Sequence, residues 1–205
     1  MPQLLRIDAS ARPTESVSRQ LADSVETRWV TQTGGNVQRR DVGLTPPTAI
    51  HDETITGFYT PIDAMTPTLA AATAESDALI DELQNADALL LASPVYNFTV
   101  PAGLKAWIDQ IVRIGRTFAY DGQAFTGLAK PQRAYLCLSY GATGYLNDGP
   151  LASADFLAPY LTFLLGFLGI AHVETFAVEG TTGDPLTLAT ARSTLEQRIT
   201  QQVPA

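Results

Sequence analysis

Cysteine is almost absent from this sequence. Cys137 is the only one among 205 residues, so no disulfide can form within the chain, and such usage fits a reducing, cytoplasmic setting. Histidine is nearly as scarce. His51 precedes Asp52 and Glu53 but has no further ligands at metal-site spacing, and His172 stands alone at the entrance of a strand-like run, so no metal is expected. Long apolar runs are missing too. Nothing approaches the roughly 20 residues of a membrane-crossing helix, and Met1-Pro2-Gln3-Leu4 opens without the basic region of a secretion signal. A net charge of −8 removes the basic surface that nucleic acid or an anionic membrane needs in a partner. Gly-x-Gly-x-x-Gly, the Walker A lysine and Gly-x-Ser-x-Gly are all absent. That argues against tight Rossmann dinucleotide binding, P-loop chemistry and a hydrolase nucleophile elbow.

What is present alternates between two periods. Gln3–Asp8 reads as a first strand, and Val17, Leu21, Val25 and Trp29 recur every four residues on a helix that Gly34-Gly35 ends. Asn36–Val42 is a polar second strand suited to an edge. The stretch from Gly43 to Pro67 holds four prolines and no clear period, so it is expected to be irregular. Thr68–Leu83 follows as a helix, Asp87–Ser93 as a buried strand, and a helix opens at Pro101, where proline costs nothing. Arg116–Lys130 reads as a loop. Ala134–Leu138, Ala154–Leu168, Val173–Val178 and Pro185–Gln202 complete the series as strand, helix, strand and helix. Alternating strands and helices predict an α/β fold: a flavodoxin-like, doubly wound, five-stranded parallel sheet in the order 2-1-3-4-5, in one domain over residues 1–205.

Parallel strands place their carboxyl ends on one side, so the loops after the first, third and fourth strands should converge there. The first, Ala9 to Ser18, brings Ser10, Ser16, Val17 and Ser18 to a helix start, where hydroxyls, free N–H groups and the macrodipole suit a phosphate. Plain N-capping by Ser16 or Ser18 is the alternative use of the same residues. The second loop, Val95, Tyr96, Asn97 and Phe98, offers rings and amides to a flat heterocycle, unless its aromatics tuck into the core. The third, Ser139, Tyr140, Gly141 and Ala142, adds hydroxyl and amide donors. A phosphate seat at a cofactor's length from an aromatic slot is the layout expected for FMN.

The run Ser93-Pro94-Val95-Tyr96-Asn97-Phe98, with Pro101-Ala102-Gly103-Leu104-Lys105 and Asp109 after it, resembles the FMN-dependent NAD(P)H azoreductase and quinone reductase family. The likeness continues through Gly115-Arg116-Thr117-Phe118, Asp148-Gly149-Pro150, Pro159-Tyr160-Leu161 and Leu165-Gly166-Phe167-Leu168-Gly169-Ile170. It implies a flavodoxin-like homodimer with one FMN per subunit. Ser10 and Ser16-Val17-Ser18 match the family's phosphate-binding positions, Val95 to Phe98 its isoalloxazine loop, and Ser139 to Ala142 its second ring-binding loop. The family often has methionine at the position of Val95, and Ser-Arg-Gly-Gly in place of Ser139-Tyr140-Gly141-Ala142. Those departures bear on contacts around the flavin pyrimidine.

The implied reaction carries two electrons from NADH or NADPH through flavin to a quinone or azo acceptor, in ping-pong order. No side chain is required as acid or base, and the amide near Asn97 is the candidate for contact at flavin N5. Phe58, Tyr59, Phe118 and Tyr120 are the expected substrate-pocket aromatics, roofing the cavity from the same or the neighbouring subunit, with interface packing as their other use. A flavodoxin-type electron carrier would need neither the length nor the aromatic loops.

Overall fold

The strand Ala88–Pro94 is buried along nearly its whole length, as a central strand must be when helices cover both faces of its sheet. In chain order the strands are β1 (Gln3–Asp8), β2 (Asn36–Asp41), β3 (Ala88–Pro94), β4 (Phe118–Tyr120), β5 (Phe125–Gly127), β6 (Arg133–Ser139) and β7 (His172–Val178). The helices are α1 (Val17–Thr33), α2 (Asp52–Tyr59), α3 (Pro67–Asn85), α4 (Ala102–Ile111), α5 (Ala158–Phe167) and α6 (Pro185–Gln202). This computed structural model describes residues 1–203; Pro204 and Ala205 lie outside the described residues.

Five strands form one parallel sheet in the order β2-β1-β3-β6-β7. Counted without the small β4–β5 hairpin, that is the 2-1-3-4-5 order expected from the sequence. Side-chain alternation divides the core. Leu5, Ile7, Leu89, Leu91, Leu136 and Leu138 face α3, α4 and α5, whereas Leu4, Leu90, Tyr135, Cys137 and Phe176 face α1 and α6. Cys137 is wholly enclosed there and behaves as a small apolar group; burial pushes its thiol well up.

Three local expectations change. The stretch from Gly43 to Pro67 contains α2 and a short 3₁₀ turn, Ile62–Ala64; α2 packs on α3 where Gly57 approaches Thr73 and Leu69, and the prolines around it hid the helical pattern. The Arg116–Lys130 loop contains the β4–β5 hairpin. Gly127 of that hairpin lies so close to the end of α5 that a Cβ there would meet the Gly169 nitrogen at 2.2 Å. The helix expected from Ala154 starts at Ala158, because Asp155 caps it through the N–H groups of Leu157 (2.9 Å) and Ala158 (3.2 Å).

Candidate functional site

The topological switch lies between β1 and β3, whose following segments run to opposite faces of the sheet, and ligands in open α/β sheets bind outside that edge. Here the first segment past β1 is tightly built. Ser16 is the N-cap of α1, with extended backbone and its Oγ accepting from the Arg19 N–H. The N–H groups of Val17 and Ser18 begin the helix with no carbonyl behind them. Ser10 and Ser16 are buried, at 2% and 6% exposure. Ser18 is fully buried and stands behind Ser16, their hydroxyls 3.2 Å apart. Ser16 thus caps the helix and also lines the cavity described below.

Beneath this loop lies a buried ionic cluster. Arg6 donates to both oxygens of Asp8, at 3.0 and 3.1 Å, and also to Asp23 and Glu26. Burial pulls the Arg6 guanidinium down, but its carboxylate partners outweigh that and hold it above its ordinary value. The negative charge of Asp8 is thus neutralised locally rather than projected at the loop above.

Past β3 the chain makes a two-residue turn. Tyr96 N–H donates to the Thr99 carbonyl (3.0 Å) and Thr99 N–H returns to the Tyr96 carbonyl (3.2 Å). Asn97 and Phe98 carry it at φ 48° and 77°. For a phenylalanine that conformation costs of order 1–2 kcal/mol, and strain of this kind collects at functional sites. Its result is that the N–H groups of Asn97 and Phe98 are left out of the turn's own bonds. Phe98 is half-exposed, and its carbonyl accepts from Phe156 N–H at 3.0 Å. The third loop, past β6, is braced by the loop past β7: Thr182 N–H and Oγ1 both donate to the Gly141 carbonyl, and Gly180 N–H to that of Ala142.

These segments border a cavity of about 180 Å³. Ser10, Ser16, Val17, Val95, Tyr96, Ser139 and Gly141 line it, as do Pro94, Arg12 and Glu15. The Tyr96 hydroxyl meets the Ala11 N–H at 3.3 Å, joining the first loop to the second. Ser18, Asn97, Phe98, Tyr140 and Ala142 do not form its wall. Tyr140 is the plainest departure, for its ring is fully buried in the core. Phe58, Tyr59, Phe118 and Tyr120 also lie away from it. Phe58 packs beneath the Arg113 guanidinium, and Phe118 lies tilted against Phe125 and Phe167. Thr181 and Thr182, which do line the cavity, were missed. The loop past the fifth parallel strand ends at the same sheet edge as the others, and that alone could have found them.

Sheet order, helix start and converging loops define a flavodoxin-like protein with its ligand cavity at the carboxyl edge of the sheet. A family model described as having a flavodoxin-like fold matches residues 2–203. The FMN-dependent NADH:quinone oxidoreductase of Xanthobacter autotrophicus is 50% identical over 175 residues, covering 85% of this chain and 84% of its own. The enzyme of the same name from Beijerinckia indica is 39% identical, covering 88% and 89%. The crystal structure of an azoreductase from Bacillus anthracis superposes with a TM-score of 0.87 over 99% of both chains at 23% identity, which bears on the fold alone. The chain belongs to the family of FMN-dependent NADH:quinone oxidoreductases.

The residues fit FMN. Buried hydroxyls and the unpaired amides of a helix start suit a phosphate dianion, and Arg12 at the mouth adds positive charge. Ser139, Gly141 and Tyr96, which line the same cavity, provide hydroxyl, bare backbone and ring edge for a planar heterocycle.

Proposed function

We propose that this protein carries two electrons from NADH or NADPH to quinones and azo compounds in ping-pong order, as a homodimer with FMN in each cavity. When bound, FMN supplies hydride-level redox chemistry between donor and acceptor. Ser10, Ser16, Val17 and Ser18 seat its phosphate, the last by supporting the Ser16 hydroxyl. Val95, Tyr96, Ser139 and Gly141 would hold the ring, and the amides of Asn97 and Phe98, outside the cavity wall but left out of their turn's own bonds, would be free to meet it beyond the mouth. Tyr140 and Ala142 act through backbone alone. Fixed N–H groups around the ring favour negative charge there without having to reorganise.

The observation that carries this reading is that Ser10 and Ser16 line one cavity together with Val95, Tyr96, Ser139 and Gly141. The names of the relatives support donor and acceptor class. Phe58, Tyr59, Phe118 and Tyr120 take the role of acceptor-pocket walls only across a dimer interface, since none lines the cavity of its own chain. Protein loaded with FMN and mixed anaerobically with NADH should lose its yellow absorbance, and a quinone should restore it. Parallel initial-rate lines on varying both substrates should follow. An unbleached flavin under NADH refutes the proposal.

A further inference from the structure

Arg19 occupies the first turn of α1, next to the serines but with its side chain turned beneath them, and it joins three segments. Its Nη2 donates to the Ser10 carbonyl at 2.7 Å. Nη1 and Nη2 grip the Asp41 carboxylate in a two-point pair, at 2.6 and 2.9 Å. Its backbone N–H reaches Ser16 Oγ. Asp41, at the end of β2, also accepts from the N–H groups of Gly43 (3.1 Å) and Leu44 (2.9 Å), fixing the turn that follows. That turn presses on the same carbonyl from behind: a Cβ at Gly43 would lie 2.2 Å from Ser10 O. Nε of Arg19 is buried without a hydrogen-bond partner among the described residues, so the side chain accepts a desolvation cost to keep this placement.

The consequence follows from peptide planarity. In a trans peptide the C=O and N–H vectors are opposed. Holding the Ser10 carbonyl down toward Arg19 therefore turns the N–H of Ala11 the other way, toward the hydroxyl of Tyr96, a residue that lines the cavity. If that peptide flipped, a carbonyl dipole would face the phosphate seat and repel an anion. The charge of Arg19 is already spent on Asp41, with Asp8 3.7 Å away. Its effect on the seat is thus by orientation and not by field.

We propose that Arg19 is a positioning residue for the phosphate arm of the flavin: with Asp41 and Gly43 it fixes the Ser10–Ala11 peptide with its N–H, and not its carbonyl, toward the cofactor. This rests on the FMN reading above. It assigns discrimination between FMN and riboflavin, which lacks the phosphate, to a residue that does not line the cavity.

The test is a pair of fluorescence titrations, FMN and riboflavin, on wild type, Arg19→Lys and Gly43→Ala. Lysine keeps the charge but cannot hold Ser10 and both Asp41 oxygens in one plane, and the added methyl at residue 43 displaces the same carbonyl by sterics. Both variants should bind FMN about tenfold more weakly, the loss of roughly one charge-assisted hydrogen bond, with riboflavin affinity changed less than about twofold. Equal weakening of both ligands would mean general destabilisation and would overturn the proposal, as would unchanged FMN affinity. Should Arg19→Lys fail to fold, Gly43→Ala alone decides by the same ratio. Wild type that binds neither flavin would instead refute the FMN reading itself.

Discussion

The Tyr140 hydroxyl donates to Asp155 Oδ2 at 3.0 Å, inside the core and below the third loop. The other oxygen of Asp155 caps α5, and the adjacent Phe156 binds the Phe98 carbonyl through its N–H. One phenol thus ties the end of β6 to the segment that braces the turn at residues 96–99. Burial, and then the negative charge of Asp155, push the Tyr140 phenol up, so it remains a donor throughout the neutral range.

Tyr140→Phe should therefore destabilise the protein by about 1–3 kcal/mol, the usual cost of stripping a buried carboxylate of one donor. FMN affinity at moderate temperature should change only a few-fold, since the ring is not a cavity wall. Thermal melting and flavin titration separate the two. A large loss of flavin affinity with an unchanged melting temperature would show that Tyr140 contacts the cofactor after all.

Asp41 makes part of the stability pH-dependent. Burial raises its pKa, but the Arg19 pair and the N–H groups of Leu44 and Gly43 outweigh that and hold it below the ordinary 3.8. Its carboxylate therefore prefers the folded state. The contribution is complete above the unfolded value and is lost as pH falls through the lower folded one. Asp41→Asn should cost about 1 kcal/mol at neutral pH, and the gap from wild type should close as pH drops below about 4. Urea unfolding of both proteins across that range measures it. Asp87 and Asp121, also lowered, are common to both proteins and cancel. A gap of constant size from neutral to acid pH would show that Asp41 acts without its charge.

The sheet was readable from residue types because its strands are extreme in composition. Leu89-Leu90-Leu91-Ala92 has no stable place except between two helical layers, and Asn36–Asp41 none except an edge. Serines before an amphipathic helix marked one wall of the cavity for the same reason, since local capping chemistry determines where they go. Tyr140 could not be placed this way. A strand-end residue points into the core or out of it according to register and to a partner, Asp155, that lies 15 residues away. The β4–β5 hairpin was equally hidden, because its short strands are held by the Gly127–Gly169 approach and by Phe167 rather than by any pattern of their own.

That hairpin carries the last expectation. Tyr120, Phe125 and Phe163 are 48%, 60% and 72% exposed, and the rings pack on one another and on Phe167: Tyr120–Phe125 stacked at 4.6 Å, Phe125–Phe167 tilted at 5.6 Å, Phe163–Phe167 stacked at 6.5 Å. An exposed aromatic face of this kind is where the homodimer proposed above would be joined. A second copy is the occupant that would also supply the roofing aromatics missing from the cavity wall. Phe163→Glu places a charge in the exposed ring of the cluster, where the isolated chain loses only the contact with Phe167. Its melting temperature as a monomer should barely move, while sedimentation should show the dimer shifting to monomer and quinone turnover should fall at least about tenfold. Retention of both the dimer and full turnover would place the interface, and the acceptor pocket with it, on another face.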